Sequence, residues 1–461
     1  MTSSIIHRHP ASFRDPLGTV FFHENRIVRG LTADGFQQFT AVKQTGLLQQ
    51  LEQSEKLIKS KEIDLKNFYS SHTHYLEHEV IPFISYPYEW PFTLLKSAAL
   101  LHLSVQLEAL NQDIVLQDAS AYNIQFKGIS PIFIDVLSFR PYQTGELWGA
   151  HRQFCEQFLN PLLLAALKGI SYQEWYRGSL EGITTDSLAR LMPFKNWFSW
   201  RSLVHVLLPA RMQTRTDQQK IEKIKKSTIS KAVYISFLEQ LQKWINELIP
   251  YKQNPTTWEN YTSTRLYADE EVITKKQFII KFVNETKPNM LWDFGCNDGE
   301  FAELALTNGA HFVIGFDVDL GALEKAIQRA KTHNLNFLPL YQQMTNPSPK
   351  QGWLLSERTD ALDRGKPDAL VALAFIHHLA IAHNIPLREV VHWFIDLAPT
   401  GVIEFVQKTD PTVKKMLALK GDIFPDYSEE AFTYFLKEKA DIVHSLTISQ
   451  SGRSLYWYQR K

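Results

Sequence analysis

Two rhythms of apolar and polar residues divide the chain. From about residue 290 onward, short apolar runs alternate with amphipathic stretches. Runs at 289–293, 312–317, 336–340, 368–374 and 401–406 have the length and side-chain type of buried strands. Between them, 299–308 and 320–333 carry apolar residues at helical spacing. The last segment, "ADIVHSLTISQSGRSLYWYQRK", reads as two strands around a Ser-Gly turn. Alternating strands and helices predict a parallel, doubly wound sheet. The final pair would add an antiparallel edge.

The first half follows another rhythm. "LGTVFFHENRIVRGL", residues 17–31, predicts a hairpin around a His-Glu-Asn turn. Residues 34–60 are helical in pattern, and "PFISYPYEWP" at 82–91 is a connector. A leucine-rich helix is expected over 92–111, then short strands at 122–126 and 131–135. Residues 150–210 read as helical and aromatic-rich, and 216–248 as a charged helix. The pattern breaks at Pro250 and Pro255, which places a boundary near residue 250. The predicted organisation is an α+β domain over 1–150, a helical extension over 151–250 and an α/β domain over 251–461.

Composition narrows the class. With 461 residues, 44% hydrophobic and 21% charged, the chain has material for two or three packed cores. The formal net charge is zero, so no global field favours nucleic acid or anionic membrane. No apolar run has signal-peptide or membrane-span character, and a cytoplasmic protein is expected. The two cysteines, Cys155 and Cys296, predict neither a disulfide framework nor a cysteine-based zinc site, and no metal is expected.

The candidate chemistry starts at "NMLWDFGCNDGEFAELAL", residues 289–306. In open parallel sheets, ligands sit at the carboxyl ends of the strands. Asp293 ends the first strand of the α/β half. Gly295 and Gly299 bracket the turn into a helix, and Asn297 between them tolerates a left-handed backbone. A dinucleotide loop needs G-x-G-x-x-G, but here the third position is Asn297 and the sixth is Glu300. S-adenosylmethionine carries no phosphate, and its zwitterionic end can use a carboxylate such as Asp293. Asp317 then ends the next strand in "HFVIGFDVD", where an acid can accept hydrogen bonds from both ribose hydroxyls. The alternative is that Asp293 caps a helix and Asp317 closes a turn.

These residues resemble the class I S-adenosylmethionine-dependent methyltransferases over about 255–461. The loop "DFGCNDG", the acid in "GFDVD", the strand "DALVALAFIHHL" and the closing strand pair carry the resemblance. It implies a Rossmann-like, seven-stranded sheet with the last strand antiparallel. It also implies an adenine contact near Gln343, where the family often has an acid. His377 and His378 in "AFIHHLA" would lie where donor meets acceptor. If the acceptor is a hydroxyl, a neutral histidine can take its proton, and His377 is the first choice. Otherwise one histidine shapes the pocket and the other packs under the next helix. Glu404 and Lys408 could line the acceptor pocket or form a salt-bridged edge. Trp258, Tyr261 and Tyr267 could close as a lid or simply pack a helix. "NPSP" at 346–349 lacks the aromatic of nucleic-acid amino-group methylases, so DNA is not expected as acceptor.

A second pattern lies in "LQDASAYNIQFKGISPIFIDVLSF", residues 116–139. Asp118 and Asn123 stand at D-x-x-x-x-N spacing, and Asp135 follows an apolar strand. In phosphoryl transfer one Asp positions the nucleophile while an Asn and another Asp hold magnesium. The region resembles a remote protein-kinase or aminoglycoside-kinase catalytic loop, which implies an ATP and magnesium site. Leu116 and Gln117 replace the usual His and Arg, and neither a Gly-rich phosphate loop nor a Val-Ala-Ile-Lys strand is present. Arg29 or Lys43 could stand in for the lysine. The plain reading is that Asp118 and Asn123 make turn hydrogen bonds. "HTHYLEHE" at 72–79 puts His74 and His78 at i, i+4 on an expected solvated helix, without H-E-x-x-H spacing.

The whole chain also resembles a group of bacterial nodulation-type methyltransferases through "LLKSAALL", "DASAYNIQF", "IDVLSF", "GCNDG", "FIHHLA" and "DIFPDY". The expected function is methyl transfer to a hydroxyl of a glycan or small molecule. The alternatives are a bifunctional kinase–methyltransferase and a non-catalytic, cofactor-sensing binding protein.

Overall fold

The computed structural model describes residues 6–65, 72, 74–193, 196–197, 199–213, 228–251, 269–449 and 452–461. The expected lid residues Trp258, Tyr261 and Tyr267 lie outside the described residues, as does Ser451 of the expected Ser-Gly turn. The chain forms two compact units, Met1–Gln253 with Lys350–Thr359, and Asn254–Pro349 with Asp360–Lys461.

The first unit carries a five-stranded antiparallel sheet. Gly18–His23 and Arg26–Leu31 form the expected hairpin. Its turn residues Glu24 and Asn25 have φ of 48° and 60°, which matches the twist of the flanking strands. The helix expected over 34–60 is interrupted. Gly46, at φ +81°, separates Ala33–Gln44 from Leu47–Gln53, and Ser60–Ile63 is a strand. The segment around His74 and His78 is also a strand rather than a helix. Its exposed His74 stacks on Phe36, while the buried His78 meets Ser60 at 2.8 Å. Period 2 and helical i, i+4 spacing coincide for two such residues, so this pair could not discriminate between them.

Helix Phe92–Asn111 is buried nearly all round. Its polar Gln106 is satisfied by the Leu116 amide and the Tyr234 hydroxyl. Short strands Ile124–Lys127 and Ser130–Phe133 pair beyond it. Helical segments then run from His151 to Gln213, and helix Lys231–Glu247 packs back on Phe92–Asn111.

The second unit opens with helix α1 (Asp269–Thr286). Strands β1 (Met290–Phe294), β2 (Phe312–Asp317), β3 (Phe337–Tyr341), β4 (Ala369–Ala372) and β5 (Thr400–Val406) are parallel. β6 (Ala440–Ser449) and β7 (Arg453–Arg460) are antiparallel. Among the described residues this sheet has seven strands in the order β3-β2-β1-β4-β5-β7-β6. All seven residues of β5 are buried, as expected for a parallel strand covered on both faces. The order reverses between β1 and β4, which opens a crevice at their carboxyl ends.

Candidate cofactor site

At the end of β1 the chain turns sharply under its neighbour. Gly295 and Cys296 both donate backbone hydrogen bonds to the Phe316 carbonyl, at 2.8 and 3.2 Å. Gly295 has φ +73°, and a Cβ there would lie 3.1 Å from Phe375. Asn297, at φ +48°, donates its amide to Asp317 Oδ2 at 2.9 Å. Gly299, at φ +79°, starts helix α2 (Glu300–Thr307). A Cβ on Gly299 would stand 2.6 Å from Phe337, so this glycine serves helix-to-sheet packing. Gly299 lines neither cavity described below.

The carboxyl ends of β1, β2 and β4 border a cavity of about 320 Å³. That volume lies at the small end of the range for small-molecule sites, roughly 300–1,000 Å³. Gly295, Asn297, Asp317, Gln343, His377 and His378 all line it. Asp317 Oδ1 accepts from the Val318 and Asp319 amides at 2.7 and 2.9 Å. With Asn297, three backbone donors fix the carboxylate and take up three of its roughly four acceptor directions. Burial pushes the Asp317 carboxyl up while those backbone bonds pull it back.

A smaller recess, about 60 Å³, also borders the Gly295 turn and is lined by Asp293, Lys275 and Asp298 among others. Gly295, Asn297, Leu373, Ala374 and Arg453 border both spaces. Asp293 is buried, and its Oδ2 has no hydrogen-bond partner among the described residues. Burial, and secondarily the charge of Asp317, push its carboxyl up to about 7. A buried acid with a spare oxygen beside a polar recess suits a cationic partner.

Both histidines face the larger cavity. Their ring centroids are 4.3 Å apart. His377 is buried, and its Nδ1 has no hydrogen-bond partner among the described residues. Burial, then the neighbouring His378, lower its pKa well below the ordinary value. Burial also lowers His378, to about 4. Both rings are therefore neutral at pH 7, but they are weaker bases than the sequence alone suggests.

The structure adds residues that the pattern did not single out. Ala374, just past β4, has φ +49°, an uncommon conformation for a residue with a Cβ. Its amide donates to Glu404 Oε2 at 2.8 Å. Glu404 is fully buried between Lys275 at 2.7 Å and Arg453 at 3.1 Å. Arg453 also reaches Asp410 at 2.7 Å. Burial raises the Glu404 carboxyl, but Lys275 and Arg453 outweigh it and hold it below the usual carboxylate range. Glu404 therefore belongs to a buried ionic network behind the cavity. Lys408 instead pairs with Asp422 at 2.7 Å. No periodic signal marks Ala374 or Arg453, since one needs a backbone angle and the other a neighbour 49 residues away.

In the first unit, Asp118, Asn123 and Asp135 come together. Asn123 Nδ2 donates to both Asp118 oxygens, at 3.2 and 3.0 Å, and Ser138 donates at 2.6 Å. Burial, then the charge of Asp135, raise the Asp118 carboxyl. Asp135 Oδ1 accepts from Arg29 Nη1 at 2.6 Å, and the same guanidinium pairs with Asp15. A cation of the chain thus already engages Asp135. No helix among the described residues is long and apolar enough to cross a membrane.

No family profile matches the chain. Similar solved structures include the N-methyltransferase NodS from Bradyrhizobium japonicum WM9 in complex with S-adenosyl-L-homocysteine. It is 14% identical, with 43% of this chain and 91% of that chain covered at a TM-score of 0.31. Magnesium protoporphyrin IX methyltransferase (ChlM) from Synechocystis PCC 6803 is 18% identical, with 44% and 98% covered at a TM-score of 0.30. The nodulation protein NoeA of Rhizobium meliloti (strain 1021) is 43% identical over 459 residues, 98% of this chain and 96% of that protein. Identity of that extent over nearly the full length of both proteins places this chain in the family of the nodulation protein NoeA.

Proposed function

We propose that the second unit binds S-adenosylmethionine and directs its methyl group to a hydroxyl of a glycan or other small molecule. The observation that carries this reading is the pair of spaces that share the Gly295 turn at the ends of β1, β2 and β4, with a tethered Asp317 in one and a partly unsatisfied Asp293 in the other. Bound S-adenosylmethionine supplies an activated methyl group on a sulfonium centre. Asp317 is preset by three amides, and its remaining acceptor direction can take a ribose hydroxyl. Gln343 is available to hydrogen-bond the adenine edge. The Gly295–Asn297 backbone and Asp293 would hold the amino-acid end. His377 and His378 border the same cavity and, being neutral, can orient a hydroxyl and accept its proton. Orientation contributes most, because the leaving group is already activated.

Isothermal calorimetry on the full chain tests this. Donor should bind at one site, and Asp317→Ala should weaken it about 10- to 100-fold, the worth of one charge-assisted hydrogen bond. Absence of donor binding by the intact chain would refute the reading.

For the first unit we infer a kinase-like fold without magnesium-dependent phosphoryl transfer. The convergence of Asp118, Asn123 and Asp135 supports the fold. The Arg29 guanidinium on Asp135 argues against a metal there. ATP binding that depends on magnesium and vanishes in Asp135→Asn would overturn the second half of this inference.

A further inference from the structure

Two buried side chains and one half-buried one converge in the first unit, away from the Asp118 cluster. His151 Nε2 lies 2.9 Å from His205 Nδ1 and 3.4 Å from Cys155 Sγ. All three ligand atoms fall within 4.8 Å of one another. His151 and Cys155 share one helical face at i, i+4 spacing, and His205 enters from a second helix. Around a tetrahedral zinc ion, with Zn–N about 2.0–2.1 Å and Zn–S about 2.3 Å, neighbouring ligand atoms stand roughly 3.3–3.6 Å apart. The observed contacts differ from that spacing by only a few tenths of an ångström.

The backbone supplies an independent observation. Cys155 opens a π-helical turn, Cys155–Leu159, and His205 sits inside another, Leu203–Leu207. Among the described residues a third π-helical turn, His378–Ala382, begins at the candidate cofactor site. Such turns insert a residue into a helix at some cost, and they concentrate at functional sites. Here two of them aim ligand-type side chains at one point. Aromatic rings wall the cluster, with Phe237 4.9 Å and Trp244 5.8 Å from the His205 ring, and Trp148 5.5 Å from that of His151. His151 is the half-buried member, so solvent reaches the cluster from its side.

We propose that His151, Cys155 and His205 form a zinc-type metal site, with water or another small ligand in the fourth position. One thiolate and two imidazoles suit a borderline divalent ion such as zinc better than magnesium or calcium, which take oxygen ligands. On binding, Cys155 loses its thiol proton to solvent. The proton now shared between His151 Nε2 and His205 Nδ1 moves to the outer nitrogen of whichever ring carries it. The metal would tie the helix at His151 to the one at His205. Such a site would depart from the expectation, drawn from having only two cysteines, that no cysteine-based zinc site exists. One cysteine suffices when two histidines join it in space.

The test uses the full chain, free of any affinity tag and stripped with a chelator. Cobalt(II) titration should develop thiolate-to-metal charge transfer and the intense ligand-field bands of four-coordination, at one ion per chain. Zinc should bleach them. Replacing outer-sphere partners of metal ligands typically costs 10- to 100-fold in affinity, so losing a ligand should cost at least about 100-fold. Cys155→Ser should abolish the charge-transfer band, and His205→Gln should weaken binding by that factor. Melting in chelator, compared with wild type, shows whether each variant still folds, and zinc should raise the melting temperature of wild type but not of Cys155→Ser. No charge-transfer band in the wild-type chain, or a band unchanged in a folded Cys155→Ser, would overturn the site.

Discussion

Asp293 and the cavity histidines carry opposite pH signatures. The Asp293 carboxyl is pushed from 3.8 up to about 7, by burial first and then by Asp317. Between about pH 4 and 7 the folded chain therefore holds a proton that the unfolded chain has lost. Stability from this group falls as pH rises through that window. Asp293→Asn should gain stability relative to wild type when pH goes from 5 to 8, measured by urea denaturation at both values. A cationic donor reverses the preference by favouring the carboxylate. Calorimetry at pH 6.5 in two buffers of different ionisation enthalpy should show donor binding releasing up to one proton, and none in Asp293→Asn. His378 is lowered to about 4, so the methyl-transfer rate should have no acidic limb near 6.5. If a histidine limits the rate, the limb falls below pH 5 in a rate profile, and His377→Ala should cut kcat about 100-fold or more with little change in donor affinity.

At the scale of elements, the glycine turn and the back of the sheet do different work. Gly299→Ala should lower stability by about 1–3 kcal/mol in denaturant titration, because it adds strain at φ +79° and a clash with Phe337. The ends of β1 and β2 were readable because acid, glycine and apolar run follow one another within a few residues. The β4 tip was less so, because the Ala374 turn is imposed by a buried carboxylate on β5. Glu404→Ala removes the buried anion shared by Lys275 and Arg453, leaving Arg453 its bond to Asp410, and about 3–5 kcal/mol should be lost. Its effect on donor affinity should follow from the moved Ala374 amide. The strand at His74–His78 escaped notice since a pair spaced by four fits either period. The break at Gly46 was open to reading, but leucines on both sides kept the helical pattern going.

Across the whole molecule, two compact units imply two cooperative cores. Scanning calorimetry of the full chain should show two transitions. Saturating S-adenosylhomocysteine should raise one, by about 2.7 kcal/mol at 100 times its Kd, and zinc should raise the other. Merging into one transition that both ligands move would show instead that the units unfold together. Buried neutral histidines shape the acid limb. His78, His151 and His378 are lowered to about 4, and His102 and His205 to about 3, in each case mainly by burial. Below 6.5 the unfolded chain takes up protons that these rings refuse. Stability should therefore fall as pH drops from 6.5 toward 4, with up to about 1.4 kcal/mol per pH unit from each ring.

What is local could be read along the chain: the strand–helix alternation of the second half, the acid-and-glycine bend after β1, the acid at the end of β2 and the hairpin at 18–31. These follow from periodicity and from backbone angles that few residues tolerate. Which distant groups meet is settled by the packing of the folded chain. It set Arg29 on Asp135, Glu404 between Lys275 and Arg453, and His205 beside His151 and Cys155. Such meetings depend on packing between elements tens to more than a hundred residues apart, and no short-range pattern encodes that distance.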